Sequence, residues 1–115
     1  MTAVFADTFY WIALADFSDS FHEGALALTA VHAEQPLVTT DEVLTEYLNY
    51  FGGQPETLRR HVAASVRRMM GSSAIRVISQ SRASFLAGLT FCEKRADKGY
   101  SLTDCISMET MHRKG

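Results

Sequence analysis

Proline and cysteine occur only twice each in this 115-residue chain, and tryptophan once. Two cysteines without a secretory signal exclude a disulfide scaffold, so Cys92 and Cys105 read as buried, reduced thiols in separate helices. They also lack the paired Cys/His spacing of a zinc site. No stretch approaches the roughly 20 uninterrupted apolar residues of a membrane span. The start of the chain has no basic segment followed by an apolar run, because Asp7 and Asp16 bracket the only candidate. The composition therefore predicts a soluble cytoplasmic protein with no membrane partner. There is no glycine-rich phosphate loop and no G-x-S-x-G elbow. His22 and His61 sit among polar neighbours and read as surface residues, and nothing positions a histidine beside either thiol.

Charge of one sign is missing from long segments. Residues 1–56 contain nine acids and no lysine or arginine, whereas residues 57–92 contain six arginines and no acid. The net charge of −2 conceals that asymmetry. An acidic region beside a basic one suits a site handling metal and phosphate, although two solvated faces of opposite sign would read the same way.

At 47% hydrophobic residues the chain has enough apolar material for one core, and its length predicts a single domain over 1–115. Residues 2–6 form a short run of β-formers, read as a buried strand ending at Asp7. Thr8 to Leu14 turns directly into a helix. Ser18 or Ser20 can cap a second helix to about Glu34, with Phe21, Ala25, Leu28 and His32 as its stripe. Leu37 to Thr39 is a second strand. Thr39 with Glu42 makes a capping-box signature for a third helix, striped by Val43, Leu44, Tyr47, Leu48 and Phe51 and ended by Gly52-Gly53. Pro55 to Met70 reads as an arginine-rich fourth helix, and Ile75 to Ile78 as a third strand. Ser81 caps a fifth helix to about Ala96, broken at Lys98-Gly99. Ser101 with Asp104 opens a last helix to about His112. Strands alternating with helices predict an α/β fold, a small parallel sheet flanked by helices. Such sheets place ligands beyond the carboxyl ends of their strands, where Asp7 falls.

Three acids stand out. Asp7 lies between an apolar strand and an apolar helix, where a carboxylate either caps the helix or holds a metal at the sheet edge. Glu46 lies a full turn inside its helix, at the margin of the packing stripe, where solvent-facing glutamates are also common. Asp104 is the third residue after Ser101, which suits a capping-box acid as well as a ligand. Asp97, in a Lys/Arg-rich stretch, reads as an ion-pair partner. A phosphotransfer domain using Asp7 as acceptor is a weaker alternative, lacking the second aspartate and the lysine such a site needs.

Taken together, Val4-Phe5-Ala6-Asp7-Thr8-Phe9, Thr39-Thr40-Asp41-Glu42-Val43-Leu44-Thr45-Glu46-Tyr47-Leu48-Asn49 and Tyr100-Ser101-Leu102-Thr103-Asp104-Cys105-Ile106-Ser107 resemble a PIN domain of the VapC toxin type. The likeness covers nearly the whole chain in order, and its Ser-Leu-Thr-Asp-Cys block is the most specific part. It implies a Mg²⁺- or Mn²⁺-dependent ribonuclease, in many members the toxin of a toxin–antitoxin pair. Asp7, Glu46 and Asp104 match the family's acids, and Thr8 matches the hydroxyl residue often beside the first. Arg59, Arg60, Arg67 and Arg68 are then candidates for holding the RNA backbone. A cognate antitoxin and a homodimer are further implications. The chain departs from the family where a further strand with a fourth acid should follow Arg113-Lys114-Gly115. That shortening implies a last helix with no sheet neighbour and with Ile106 and Met108 exposed. It also raises the alternative of a catalytically impaired module that binds RNA or a protein.

Overall fold

Three short strands, β1 (Val4–Phe5), β2 (Leu37–Thr40) and β3 (Ile75–Ile78), form a parallel sheet in that order in the computed structural model, which describes residues 3–114, excluding the Lys114 side chain. The expected strand start at Thr2 and the terminal Gly115 lie outside the described residues. Val4 pairs with Leu37, and Leu37 to Thr40 pair with Ile75 to Ile78. The helices are α1 (Thr8–Ala15), α2 (His22–Val31), α3 (Asp41–Tyr50), α4 (Glu56–Gly71), α5 (Arg82–Lys94) and α6 (Leu102–Lys114), with a 3₁₀ turn over Ala96–Lys98. This is the α/β arrangement that the alternating pattern predicts.

The core lies where α1, α3 and α4 meet the sheet. Trp11, Ile12, Val43, Leu44, Tyr47, Val62 and Val66 are buried there. Val62 and Val66 are one turn apart on α4, and Leu58 and Met69 extend the same stripe. Burying a side chain of that size contributes about 1.5–3 kcal/mol, enough to fix the helix by this face alone. The opposite face carries Arg59, Arg60, Arg67 and Arg68, all exposed.

Several local expectations are corrected. Thr40 rather than Thr39 caps α3, its hydroxyl accepting from Val43 N at 3.1 Å. Pairing with β3 keeps the backbone extended through Thr40, which turns the Thr39 side chain into the core. The second helix starts at His22, without a side-chain cap, because Asp16 and Asp19 organise the preceding turns by accepting from the backbone N–H groups of Ser18 and Phe21. The Ser18 hydroxyl and backbone N–H hold the Asp16 carboxyl below its ordinary 3.8. Of the stripe expected on α2, only Ala25 is buried, while Phe21 and Leu28 face outward. His22 is half-buried rather than superficial, its Nδ1 donating to the Ala13 carbonyl at 2.6 Å and tying α2 to α1. His61 is exposed, as the sequence predicts.

The last helix also behaves differently. Ile106 is buried, not exposed, and Met108 is half-buried. Helix α5 covers that face, and Gly88 makes the close approach possible. A Cβ at Gly88 would lie 2.3 Å from Ile106 Cγ1 and 3.2 Å from Ile106 Cα. The two thiols are not free either: Cys92 and Cys105 form a disulfide with Cα atoms 5.6 Å apart. Reasoning from compartment missed it, because the turn at Ala96–Lys98 and Gly99 (φ 67°) folds α6 back along α5. Asp97 pairs with Lys98 at 3.8 Å, an exposed ion pair as expected.

Candidate functional site

Asp7 leaves the end of β1 in an extended conformation and caps α1, its Oδ1 accepting from Tyr10 N at 3.0 Å. The chain just before it is fixed from both sides. Ala6 N donates to the Val38 carbonyl at 2.8 Å, and the buried Thr39 hydroxyl donates to the Ala6 carbonyl at 2.9 Å. The same hydroxyl accepts from Trp11 Nε1 at 3.3 Å, so one side chain of β2 ties the end of β1 to the first helix. Thr8, the next residue, donates from Oγ1 to Glu46 Oε1 at 2.6 Å across 38 positions of sequence. That contact joins α1 to α3 at the half-buried Glu46.

Asp104 comes from the first turn of α6. Ser101 N donates to its Oδ2 at 3.2 Å, and Asp104 N donates to Ser101 Oγ at 3.1 Å, a reciprocal capping box. The bland roles anticipated for Asp7 and Asp104 are therefore real. They do not exclude a second role, because a cap uses one carboxylate oxygen. Asp7 Oδ2, Glu46 Oε2 and Asp104 Oδ1 have no hydrogen-bond partner among the described residues.

All three acids line one groove of about 990 Å³, together with Asp19. The N-termini of α1 and α6 both open on it, so its acids lie where helix dipoles favour negative charge. Sequence reasoning passed over Asp19, which looked like one more acid in a turn-forming Asp-Phe-Ser-Asp-Ser stretch. Among the described residues, no lysine, arginine or histidine lines the groove. Arg59, Arg60, Arg67 and Arg68 are elsewhere, on the exposed face of α4, with Arg60 paired to Glu56 at 3.6 Å.

Carboxylate oxygens with unused lone pairs are the donor type that Mg²⁺ and Mn²⁺ prefer. In kind and number the donors fit. In spacing they do not close into a cage, because among the described residues no three His, Cys, Asp or Glu side chains converge closely enough to hold one ion. Mg²⁺ does not need such a cage, since it usually keeps several waters and takes only one or two carboxylates. The acids the groove offers for such a role are Asp7, Asp19, Glu46 and Asp104.

No protein-family model matches the chain, and no curated protein does. Among solved structures it is similar to VapC20 of Mycobacterium tuberculosis, a toxin described as cleaving the sarcin–ricin loop. The TM-score is 0.83 at 23% sequence identity, over 97% of this chain and 83% of that one. At that identity the likeness establishes the fold, a VapC-type PIN-like α/β arrangement, and leaves the chemistry to the residues of the groove.

Proposed function

We propose that this chain is a metal-dependent endoribonuclease, the toxin of a toxin–antitoxin pair acting on cytoplasmic RNA. The observation that supports this reading is that Asp7, Glu46 and Asp104, from three separate segments, all line one groove of a fold shared with a toxin described as cleaving the sarcin–ricin loop. A Mg²⁺ or Mn²⁺ ion bound there supplies an activated water and offsets charge on the phosphate being cleaved.

The protein's own contribution is positioning. Asp7 and Asp104 are each held by a backbone N–H at a helix start, which fixes one carboxylate oxygen and leaves the other for a ligand. Thr8 holds Glu46 by a short hydroxyl–carboxylate bond, restricting a side chain that would otherwise sample several rotamers. The exposed arginines of α4 hold RNA backbone outside the groove. A cognate antitoxin and a homodimer complete the proposal. The test is RNA cleavage with and without Mg²⁺ or Mn²⁺. Wild type cleaves only with metal, and Asp7→Asn or Asp104→Asn abolishes turnover. Equal cleavage by wild type and both variants removes the assignment.

A second reading has one observation in its favour, the absence of three converging carboxylates among the described residues. In it the chain is a PIN-like module that binds RNA or a protein without cutting. Metal-dependent turnover by rigorously purified wild type rejects that alternative.

A further inference from the structure

The chain that delivers Asp104 to the groove has little apolar burial to fix it. Every residue from Glu93 to Ser101 is exposed, and burial resumes only at Cys105 and Ile106. A stretch of that kind opens at low cost unless something else ties it down. The Cys92–Cys105 bond does so, joining the last turn of α5 to the first turn of α6 beside Asp104. It closes the helix pair at the end where Tyr100, Ser101, Thr103 and Asp104 line the groove. The far end of α5 is held separately, by the Ser81 cap and by Gln80 N donating to Asp41 Oδ2 at 2.9 Å. Ser101 links the bridge to the acid. Its N–H and hydroxyl hold Asp104 in the capping box, its carbonyl accepts from Cys105 N at 3.0 Å, and Cys92 Sγ lies 3.9 Å from that carbonyl. The two sulfurs differ in access, since Cys105 is 0% exposed and Cys92 is half-buried.

We propose that the Cys92–Cys105 bond is a reversible redox switch on the groove. Oxidised, it holds Asp104 in place for a cation; reduced, it lets the start of α6 fray and cation affinity falls. The inference rests on the metal-site reading of the groove and adds its regulation. Where dithiol reductants set the poise, a bond of this kind is transient and its state reports oxidant. In reduction, the thiolate of a small dithiol attacks Cys92 Sγ, the accessible sulfur. The S–S bond breaks, and Cys105 leaves as a thiolate that takes up a proton. The reductant's second thiol then attacks the mixed disulfide and releases Cys92 as a thiol. Two electrons pass to the protein, and the reductant ends as its own disulfide. A low-molecular-weight disulfide reverses both steps. The freed Cys92 S–H can donate to the Ser101 carbonyl, the acceptor of the first helical bond of α6, as a disulfide sulfur cannot.

The test titrates Mn²⁺ by electron paramagnetic resonance into the full chain in three states: oxidised, reduced with dithiothreitol and desalted anaerobically, and reoxidised with glutathione disulfide. Thiol counts verify each state, and amide hydrogen exchange is followed in parallel. Reduction should weaken Mn²⁺ binding about tenfold and speed exchange in residues 95–105 while β2 and α4 stay protected, and reoxidation should restore both. Cys92→Ser should bind like the reduced protein whatever the reductant. By reciprocity, saturating Mn²⁺ should make the bond about tenfold harder to reduce, a shift of about 30 mV in a dithiol buffer. Equal Mn²⁺ affinity in the oxidised and reduced protein overturns the switch and leaves the ribonuclease reading standing. Exchange that rises throughout the chain on reduction overturns it too, because the bond then holds the whole fold. Mn²⁺ bound in neither state ends both. Redox-sensitive Mn²⁺ binding without RNA cleavage in either state supports the switch while ending the ribonuclease reading.

Discussion

Replacing Thr39 with valine removes one hydroxyl from the core at nearly constant volume, and the structure sets the cost. The hydroxyl donates to the Ala6 carbonyl at 2.9 Å and accepts from Trp11 Nε1 at 3.3 Å, with Thr39 itself 0% exposed. A typical buried hydrogen bond contributes about 1 kcal/mol net, and a buried donor left without a partner costs about 1–3 kcal/mol. The indole N–H of Trp11, a residue only 4% exposed, has no water to turn to. The sum is a loss of roughly 2–4 kcal/mol, a large part of the ~5–15 kcal/mol that holds a domain together. At about 4 °C per kcal/mol for a chain of this size, Tm should fall by roughly 8–16 °C in thermal unfolding followed by circular dichroism. Thr39→Ser is the control, because it keeps the hydroxyl and loses only a methyl, at about 1 kcal/mol. A valine variant as stable as wild type, or a serine variant as damaged as the valine one, would refute this account of how Asp7 is anchored.

Gly88→Ala should destabilise by about 1–3 kcal/mol in urea unfolding, because its Cβ would sit 2.3 Å from Ile106 Cγ1, and the added cost of Gly88→Ala should be smaller in an Ile106→Ala background than in wild type. Reduction, or Cys92→Ser, should lower stability by about 3 kcal/mol, since the Cys92–Cys105 bond closes a loop with a sequence separation of 13; a Tm unaffected by reductant would contradict the disulfide. Changing Arg59, Arg60, Arg67 and Arg68 to alanine should weaken RNA binding at low salt and reduce the slope of log K against log salt by up to about 3, and an unchanged slope would remove α4 from the RNA path.

The sequence made the fold legible wherever a periodic apolar pattern met a capping residue. Helix α4, strand β3 and the capping boxes that start α5 and α6 stand close to where the pattern places them, because Val62 and Val66, Ile75 to Ile78, Ser81 and Ser101 each make one local choice that packing agrees with. It was less legible where tertiary contacts decide. Thr39 and Thr40 are adjacent and chemically identical, and only pairing with Val77 and Ile78 determines which one caps. The burial of Ile106 depends on a glycine on another helix, and the disulfide on how the turn at Gly99 redirects the chain. The anticipated Asp7, Glu46 and Asp104 all line the groove, but among the described residues they do not converge closely enough to hold one ion together. Asp19 carries no signal of its own in sequence, since its place on the groove arises only from the way α1, α3 and α6 converge.

The most direct test of the central claim is Mn²⁺ binding followed by electron paramagnetic resonance on wild type, Asp7→Asn, Asp104→Asn and the exposed, ion-paired control Asp97→Asn. Wild type and the control should bind Mn²⁺ alike, while the two groove variants lose affinity by more than roughly tenfold. Mn²⁺ affinity that is absent in wild type, or unchanged in both groove variants, would contradict it.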